Sequence, residues 1–413
     1  MAGHLPMEVI VEILSRLPSK SLLRCRSMCK SWLSLISSAE FKLMHLNNFN
    51  QQNPRNLVRR FEWRENKEVY SVHFDDEALT VDRGTLVEFP FHRNRHIIFY
   101  FRIIGCCNGV ICLSDDKCES REDKIILWNP SIRRNVTLIP PMFRSSNMED
   151  MLLVFGFGYD KMSGDYKVVR LAYDDCSITR PQVEVYTVKT AIWRAVGFPH
   201  DLPCFSILPN WSQVFFNGSM HWIACDLTPG VSRCSIMTFD IRTELFAEIQ
   251  LPESLLQESA MSLEIAVVRE SLAVIYSSRH SHSFPWSGPS TYKIWAMKEY
   301  KNPASWTMIY NMHYPTKDVG RVLRLRKNGD MITGSRYGDL MIHTDNVGYY
   351  VYASCTGFII EDSIYIDIYQ QSLALLDVEP DVQSEEMKGE QGRAEEYHDE
   401  SLGTLFRGLV NEN

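Results

Sequence analysis

Side chains able to do chemistry are present, but their spacing argues against a catalytic centre. Cys106, Cys112 and Cys118 recur every six residues, and no CxxC pair occurs in the chain. That spacing fits no familiar zinc-ligand pattern, so no metal site is expected. His280 and His282 stand two apart in SSRHSHSFPWSGPS, whose composition is that of an exposed loop. The glycines of GFGYDKMSG at 156–164 suggest a phosphate-cradling loop. The third glycine arrives too late, however, and Lys161 falls in a turn between strands, so a glycine-permitted β turn is expected. GxxxxGK[ST], HExxH, GxSxG and the EF-hand loop are all missing. In FFNGSMHWIA, alternation sets Met220 and Trp222 on one face and His221 on the other, which assigns Trp222 to packing between sheets. No catalytic residue, metal or cofactor is therefore expected. What remains is the chemistry of surfaces. Phe205, Trp211, Phe284 and Trp286 lie in long segments between strand-like runs, at 199–212 and 277–290. With the segments 142–150 and 312–320, these are the loop candidates for gripping a partner.

The elements that would position them follow from composition. A chain of 413 residues exceeds what one hydrophobic core sustains, so two or three domains are expected. The hydrophobic share of 45% and charged share of 23% are those of a globular protein, and 11% aromatics favour β structure. The net charge of −8 argues against a dedicated nucleic-acid binder. That charge is uneven: residues 1–50 hold six Lys/Arg against three Asp/Glu, whereas 379–413 hold ten acids against three bases. The acidic tail is expected to be disordered. Eleven scattered cysteines indicate a reducing compartment, and neither a secretory signal nor a membrane span is evident.

In LPMEVIVEILSRLPSKSLLRCRSMCKSWLSLI, at 5–36, Val9, Ile10, Ile13, Leu14 and Leu17 form one helical stripe. Pro6 suits the first helical turn and Pro18 ends the helix. Ser19 or Ser21 offers an N-cap to a second helix carrying Leu22 and Leu23. A third helical stretch carries Cys25, Met28, Cys29, Trp32, Leu35 and Ile36. About 45 residues cannot bury three amphipathic helices unaided, so the segment packs on the rest of the chain or on a partner.

Leu5-Pro6, Glu12-Ile13-Leu14, Arg16-Leu17-Pro18, Lys20 to Arg26, Cys29-Lys30-Ser31-Trp32, Leu35-Ile36 and Phe41 resemble the F-box of plant F-box proteins in order and spacing. Met28 is the one mild departure. The resemblance implies docking on a Skp1-like adaptor and, through it, a cullin ligase core. It assigns the contact to Leu5, Pro6, Val9, Ile13, Leu14, Leu17, Pro18, Leu22, Leu23, Arg24, Cys25, Arg26, Met28, Cys29 and Trp32. Trp32, Leu14, Leu17, Leu22 and Leu23 would be the buried anchors. Arg24, Arg26 and Lys30 would supply complementary charge.

From about residue 60 to 378 the pattern becomes short β runs between Gly, Pro, Asn and Asp. Tyr70, Trp128, Tyr186, Phe239, Trp295 and Ile342 recur at gaps of 58, 58, 53, 56 and 47, with further strand pairs between them. Four-stranded units of this length imply a propeller of about six blades. The last strand-like runs, 357–366 and 370–377, and the first pair near 69–81 are expected to share one blade and close the ring. GCCNGVICL, LWNPSIRR, FGFGYDKMSGDYKVVRL, FFNGSMHWIA, TFDIRTELFAEIQLP and WAMKEYKNPASWTMI resemble the F-box-associated domain of plants. That family includes S-locus F-box proteins and F-box proteins controlling immune-receptor levels.

The fold class expected is thus α+β multidomain: an all-α F-box over 1–48, an all-β kelch-like propeller over 49–378, and a tail over 379–413. The two resemblances imply a non-catalytic receptor that brings a target protein to a ubiquitin ligase in the cytoplasm or nucleus. The alternatives are a propeller scaffold or a propeller enzyme outside any ligase.

Overall fold

The computed structural model describes residues 6–378 except 53, 63–66, 77–78, 84, 86, 91–100, 116–123, 144–150, 175–179, 201, 203–204, 208–212, 227–232, 279–289, 315–318, 336–339, 345–346 and 352–363. Leu5, Cys118, Trp211, His280, His282, Phe284, Trp286 and the acidic tail lie outside the described residues.

Four helices open the chain: α1 (Met7–Leu14), α2 (Ser19–Arg26), α3 (Lys30–Ser37) and α4 (Ala39–Gln52). Pro6 and Pro18 occupy the N-cap positions of α1 and α2, in extended backbone. The expected Ser19 or Ser21 cap is replaced. Ser19 is already helical, and its N–H donates to Gln371 Oε1 at 3.1 Å, so a side chain from the far end of the chain satisfies a helix-end donor. The fourth helix carries the head past the expected boundary at 48. Phe41, His45 and Phe49 form its buried stripe, and His45 Nε2 meets Leu17 O at 3.0 Å.

Beyond the head come β1 (Arg55–Glu62) and β2 (Lys67–Phe74), and then five complete sheets in chain order. The first has β3 (Arg102–Cys107), β4 (Val110–Ser114), β5 (Ile125–Asn129) and β6 (Arg134–Thr137). The second has β7 (Met151–Asp160), β8 (Asp165–Asp174), β9 (Gln182–Thr187) and β10 (Ile192–Val196). In the third, β11 (Phe205–Ile207) and β12 (Val214–Phe216) share the inner edge of β13 (Ser219–Asp226), followed by β14 (Cys234–Asp240) and β15 (Phe246–Gln250). The fourth has β16 (Leu263–Val268), β17 (Ser271–Ser277), β18 (Ser290–Met297) and β19 (Trp306–Tyr314). The fifth has β20 (Val319–Leu325), β21 (Met331–Ser335), β22 (Leu340–Thr344) and β23 (Val347–Val351). The last strand, β24 (Tyr365–Tyr369), pairs antiparallel with β1 from Arg59↔Tyr365 to Arg55↔Tyr369. The order β2-β1-β24 makes the sixth blade from both ends of the described chain.

All six periodic anchors fall on the third strand out from the centre, namely β2, β5, β9, β14, β18 and β22. The period therefore measured one repeated position in the blade. Closure across the chain ends also holds, with one correction. Residues 370–377 form no strand; they turn away from the sheet toward the helices. The inner partner of β2 is β1, in a stretch rich in arginine (RNLVRRFE) that conceals its alternation.

Six apolar clusters sit between successive sheets. One joins Val154 and Val169 of the second sheet to Met220, Trp222 and Phe239 of the third, and Trp222 Nε1 donates to Phe155 O at 2.9 Å. Gly156 and Gly158 permit this approach: a Cβ at either would lie 2.5 Å from Trp222 or 2.4 Å from Phe215. The other glycine of the GFGYDKMSG run, Gly164, closes the β7–β8 turn at φ +65°. A buried ion pair, Arg170 to Glu184 at 2.9 Å, spans β8 and β9. Glu184 also accepts from the N–H groups of Met142 and Phe143, which pins the segment after β6.

Candidate functional site

The helical head has two apolar faces, and they have different fates. Ile10, Val11, Leu14 and Leu17 turn inward with Leu22, Cys25, Trp32, Leu35, Ile36 and Phe41. Two residues from the far end of the chain, Leu373 and Leu376, complete this cluster, together with Ile132 from the β5–β6 turn. Leu14 and Leu22 are thus committed to the chain's own core. Leu17, Leu23, Cys25 and Trp32 are half-buried, and the last two pack in the same cluster. On the opposite side of α1, Val9 and Ile13 stand one turn apart, 42% and 50% exposed. Met28 is 71% exposed between α2 and α3, and Leu33, Leu43 and Met44 are exposed on α3 and α4. Pro6, Pro18, Arg24, Cys29 and Lys30 are also exposed. Hydrogen bonding from Ser31 holds the Cys29 thiol below its ordinary pKa. Arg26 is engaged, donating to Asp377 at 3.0 Å and to Ser37 at 3.1 Å, and Lys42 pairs with the same Asp377.

A dense polar seam joins head to ring. Asn50 and Gln371 exchange two hydrogen bonds, Gln371 N to Asn50 Oδ1 at 2.8 Å and Asn50 Nδ2 to Gln371 O at 3.0 Å. Asn129, fully buried at the end of β5, donates to Ser372 O at 3.1 Å and Ala374 O at 2.9 Å. Gly109, at φ +75°, lets the β3–β4 turn approach, since a Cβ there would lie 2.2 Å from Gln370 O.

The seam fixes which side of the propeller faces the head. The inner strands β3 and β24 both end there, and in a propeller the inner strands run parallel. The β6–β7, β10–β11, β17–β18 and β19–β20 connections therefore all leave and enter on the opposite, distal side. They carry the loop candidates except Trp211, which falls in sequence between β11 and β12. Phe205 begins β11, and its side chain is outside the described atoms. On the head side the corresponding turns are tight, as at Asn108-Gly109, Asn217-Gly218 and Arg269-Glu270.

A channel runs between the six inner strands as a cavity of about 450 Å³. Its lining includes Arg102 on β3, Phe155 on β7, Phe215 on β12, Glu264 on β16, Arg321 and Arg324 on β20, and Tyr365 and Asp367 on β24. Asp367 is pushed above the usual carboxylate range by burial. Burial likewise raises the thiols of Cys106 and Cys107, the latter to about 12. Among the described residues, no three His, Cys, Asp or Glu side chains come together as metal ligands do. None of the described helices is long and apolar enough to cross a membrane.

Residues 61–369 match the F-box associated beta propeller domain, and residues 3–44 match the F-box domain. The chain belongs to the F-box-associated propeller family. Among its relatives is the F-box/kelch-repeat protein At3g23880 of Arabidopsis thaliana, 25% identical over 324 residues, which span 75% of this chain and 79% of the relative. The F-box protein CPR1 of the same plant is 25% identical over 340 residues, 75% of this chain and 73% of the relative. In the F-box, sequence reasoning put Val9, Ile10, Ile13, Leu14 and Leu17 on one stripe, and the structure splits it into inward Ile10, Leu14 and Leu17 and exposed Val9 and Ile13. Sequence reasoning also missed the seam residues Asn50, Asn129 and Gln371, whose partners lie hundreds of residues away. The channel arginines had a signal, the run RVLRLRK at 321–327, which places basic residues along a strand of the F-box-associated propeller.

Proposed function

We propose that this chain is the substrate-recognition subunit of a Skp1–cullin–F-box ubiquitin ligase. The F-box docks on a Skp1-like adaptor and the propeller holds a target protein for ubiquitination and degradation. The chain itself is non-catalytic in this reading. It raises the local concentration of target lysines beside a separately bound conjugating enzyme. The observation that carries the reading is the outward apolar face. Val9 and Ile13 on α1, with Met28 and Leu33, stay exposed although the head's inner face is already satisfied by the chain itself. The short turns on the head side and the long connections on the distal side support target capture away from the adaptor.

The test is a double substitution, Val9→Asp with Ile13→Asp. Burying the exposed half of each side chain contributes on the order of 1 kcal/mol. Losing both, and placing two carboxylates in an apolar contact, costs more than tenfold in adaptor affinity. Co-purification of Skp1 and cullin should fall away, while the melting temperature of the propeller stays put. Wild-type recovery of Skp1 with this variant would defeat the assignment. Recovery of Skp1 without cullin would point to a scaffold instead.

A further inference from the structure

The channel is cationic in a chain that is not. Among the described residues six basic side chains line it, Arg59, Arg102, Arg269, Arg321, Arg324 and Lys327, against the three acids Glu264, Glu270 and Asp367, although the chain as a whole carries −8. Low-dielectric walls around charges of one sign focus their field into such a cleft.

Three of these bases have an acid, and Arg102 and Arg269 reach Leu153 O and Tyr310 OH. Arg321 bonds Glu264 at 2.8 Å, Arg59 lies 3.8 Å from Glu68, and Lys327 lies 3.8 Å from Glu270. Arg324 is different. It is half-buried on β20, and its Nη1 is shielded from solvent with no hydrogen-bond partner. Burial works against its charge, with Asp367 and then Asp75 opposing that effect from a distance and Arg326 adding to it. Asp367 is the acid whose charge most favours it, but the carboxylate's hydrogen bonds go to other groups. Oδ2 accepts from Tyr365 OH at 2.8 Å, and Oδ1 accepts from Ile368 N at 2.7 Å. A buried guanidinium donor without an acceptor is costly, and native structures satisfy such groups with protein, water or an ion. The guanidinium fork pairs bidentately with phosphate-class oxyanions, as it does with carboxylates.

We propose that the propeller channel is a binding site for an oxyanion of the phosphate or sulfate class, with Arg324 as its principal donor and the net cationic lining as its attractor. The site is independent of the adaptor face and of ligase assembly. The same chemistry comes from two sources, a free inorganic anion or a phosphate ester borne by a larger ligand.

The full chain is titrated with sodium phosphate and with sodium sulfate, at ionic strength held constant with chloride, and unfolding is followed by fluorimetry. The expected result is a melting temperature that rises with the logarithm of phosphate or sulfate concentration beyond a threshold, as binding to the folded state requires, with no rise in chloride. Arg324→Met should abolish the rise and Arg324→Lys should weaken binding about tenfold, because the charge survives but the fork does not. Arg194→Met, at an exposed outer-strand position, should leave it unchanged. Should Arg324→Met fail to fold, wild-type protein is treated with phenylglyoxal, and phosphate should protect the Arg324 peptide from modification. Competition by O-phosphoserine assigns the ester source; its failure to compete assigns the free anion. A phosphate response equal to that of chloride, a response that persists in Arg324→Met, or no protection of Arg324 would overturn the proposal.

Discussion

Leu373 lies outside every strand, yet it is fully buried among Leu14, Leu22, Ile36 and Phe41 of the helical head. Replacing it with alanine removes the isobutyl group's transfer term and leaves a cavity between two parts of the chain. Such Leu→Ala changes cost about 2–5 kcal/mol, according to how far the site collapses. The cost should fall on the head, because no strand residue contacts Leu373 within that cluster. Hydrogen exchange with mass spectrometry reads this directly. Opening of the helices over 7–52 should become easier by about 2 kcal/mol or more, which is roughly 30-fold faster exchange in those peptides. Peptides from β8 and β9 should exchange as in the wild type. Leu373→Met, which conserves volume, should cost less than about 1.5 kcal/mol. If the helices of Leu373→Ala exchange at the wild-type rate, or if the propeller strands accelerate with them, the view of residues 370–378 as the head's own core is wrong.

Glu184→Gln strands the buried Arg170 and should lower the urea midpoint by the equivalent of about 3–5 kcal/mol, far more than loss of the exposed Arg194–Glu244 pair would. His221, buried between Val214 O and Tyr300 OH, has its pKa pushed down by burial to about 4 from 6.5. The unfolded chain therefore binds a proton there that the folded chain does not, so stability is full above about pH 6.5 and declines toward pH 4, by about 3 kcal/mol from this group. His221→Gln should flatten that part of the pH–stability curve measured by urea titration. Truncation after Val378 should leave the melting temperature unchanged, whereas truncation after Ile364 deletes β24, uncovers the inner edge of β1 and should yield aggregated chain on size-exclusion chromatography.

The parts of this fold that were legible in the sequence are those governed by short-range periodicity. The six anchor residues mark the third strand of every blade because a blade must bury one large side chain at that depth, and Trp128 and Phe239 are fully buried there. That α1 is an amphipathic helix was legible for the same reason. Pairings at long range were not. Nothing local marks Gln371 as the residue that satisfies the start of α2, or Asn129 as the clamp on Ser372, since polar side chains at turns look alike whatever they face. The helical head was ambiguous because α1 is apolar on two sides: Ile10 and Leu14 against Val9 and Ile13 cannot be ranked without knowing which side the C-terminal segment covers. The 370–377 run (QQSLALLD) has strand-like content, but Leu373 and Leu376 serve the helices, Leu375 packs between the first and second sheets, and the positive φ of Leu375 breaks any extended course.

The stitch between Ser19 and Gln371 also sets an order of events during synthesis. The helices emerge from the ribosome well before Leu373 and Leu376, which complete their core. At translation rates of about 5–20 residues per second, the head waits tens of seconds for Gln371 and Leu373. By then β24 has been made and can lie against β1. The maturity of the head thus reports on the ring: a chain cut short anywhere in the propeller carries every F-box residue, yet presents them on helices whose core lacks Leu373 and Leu376.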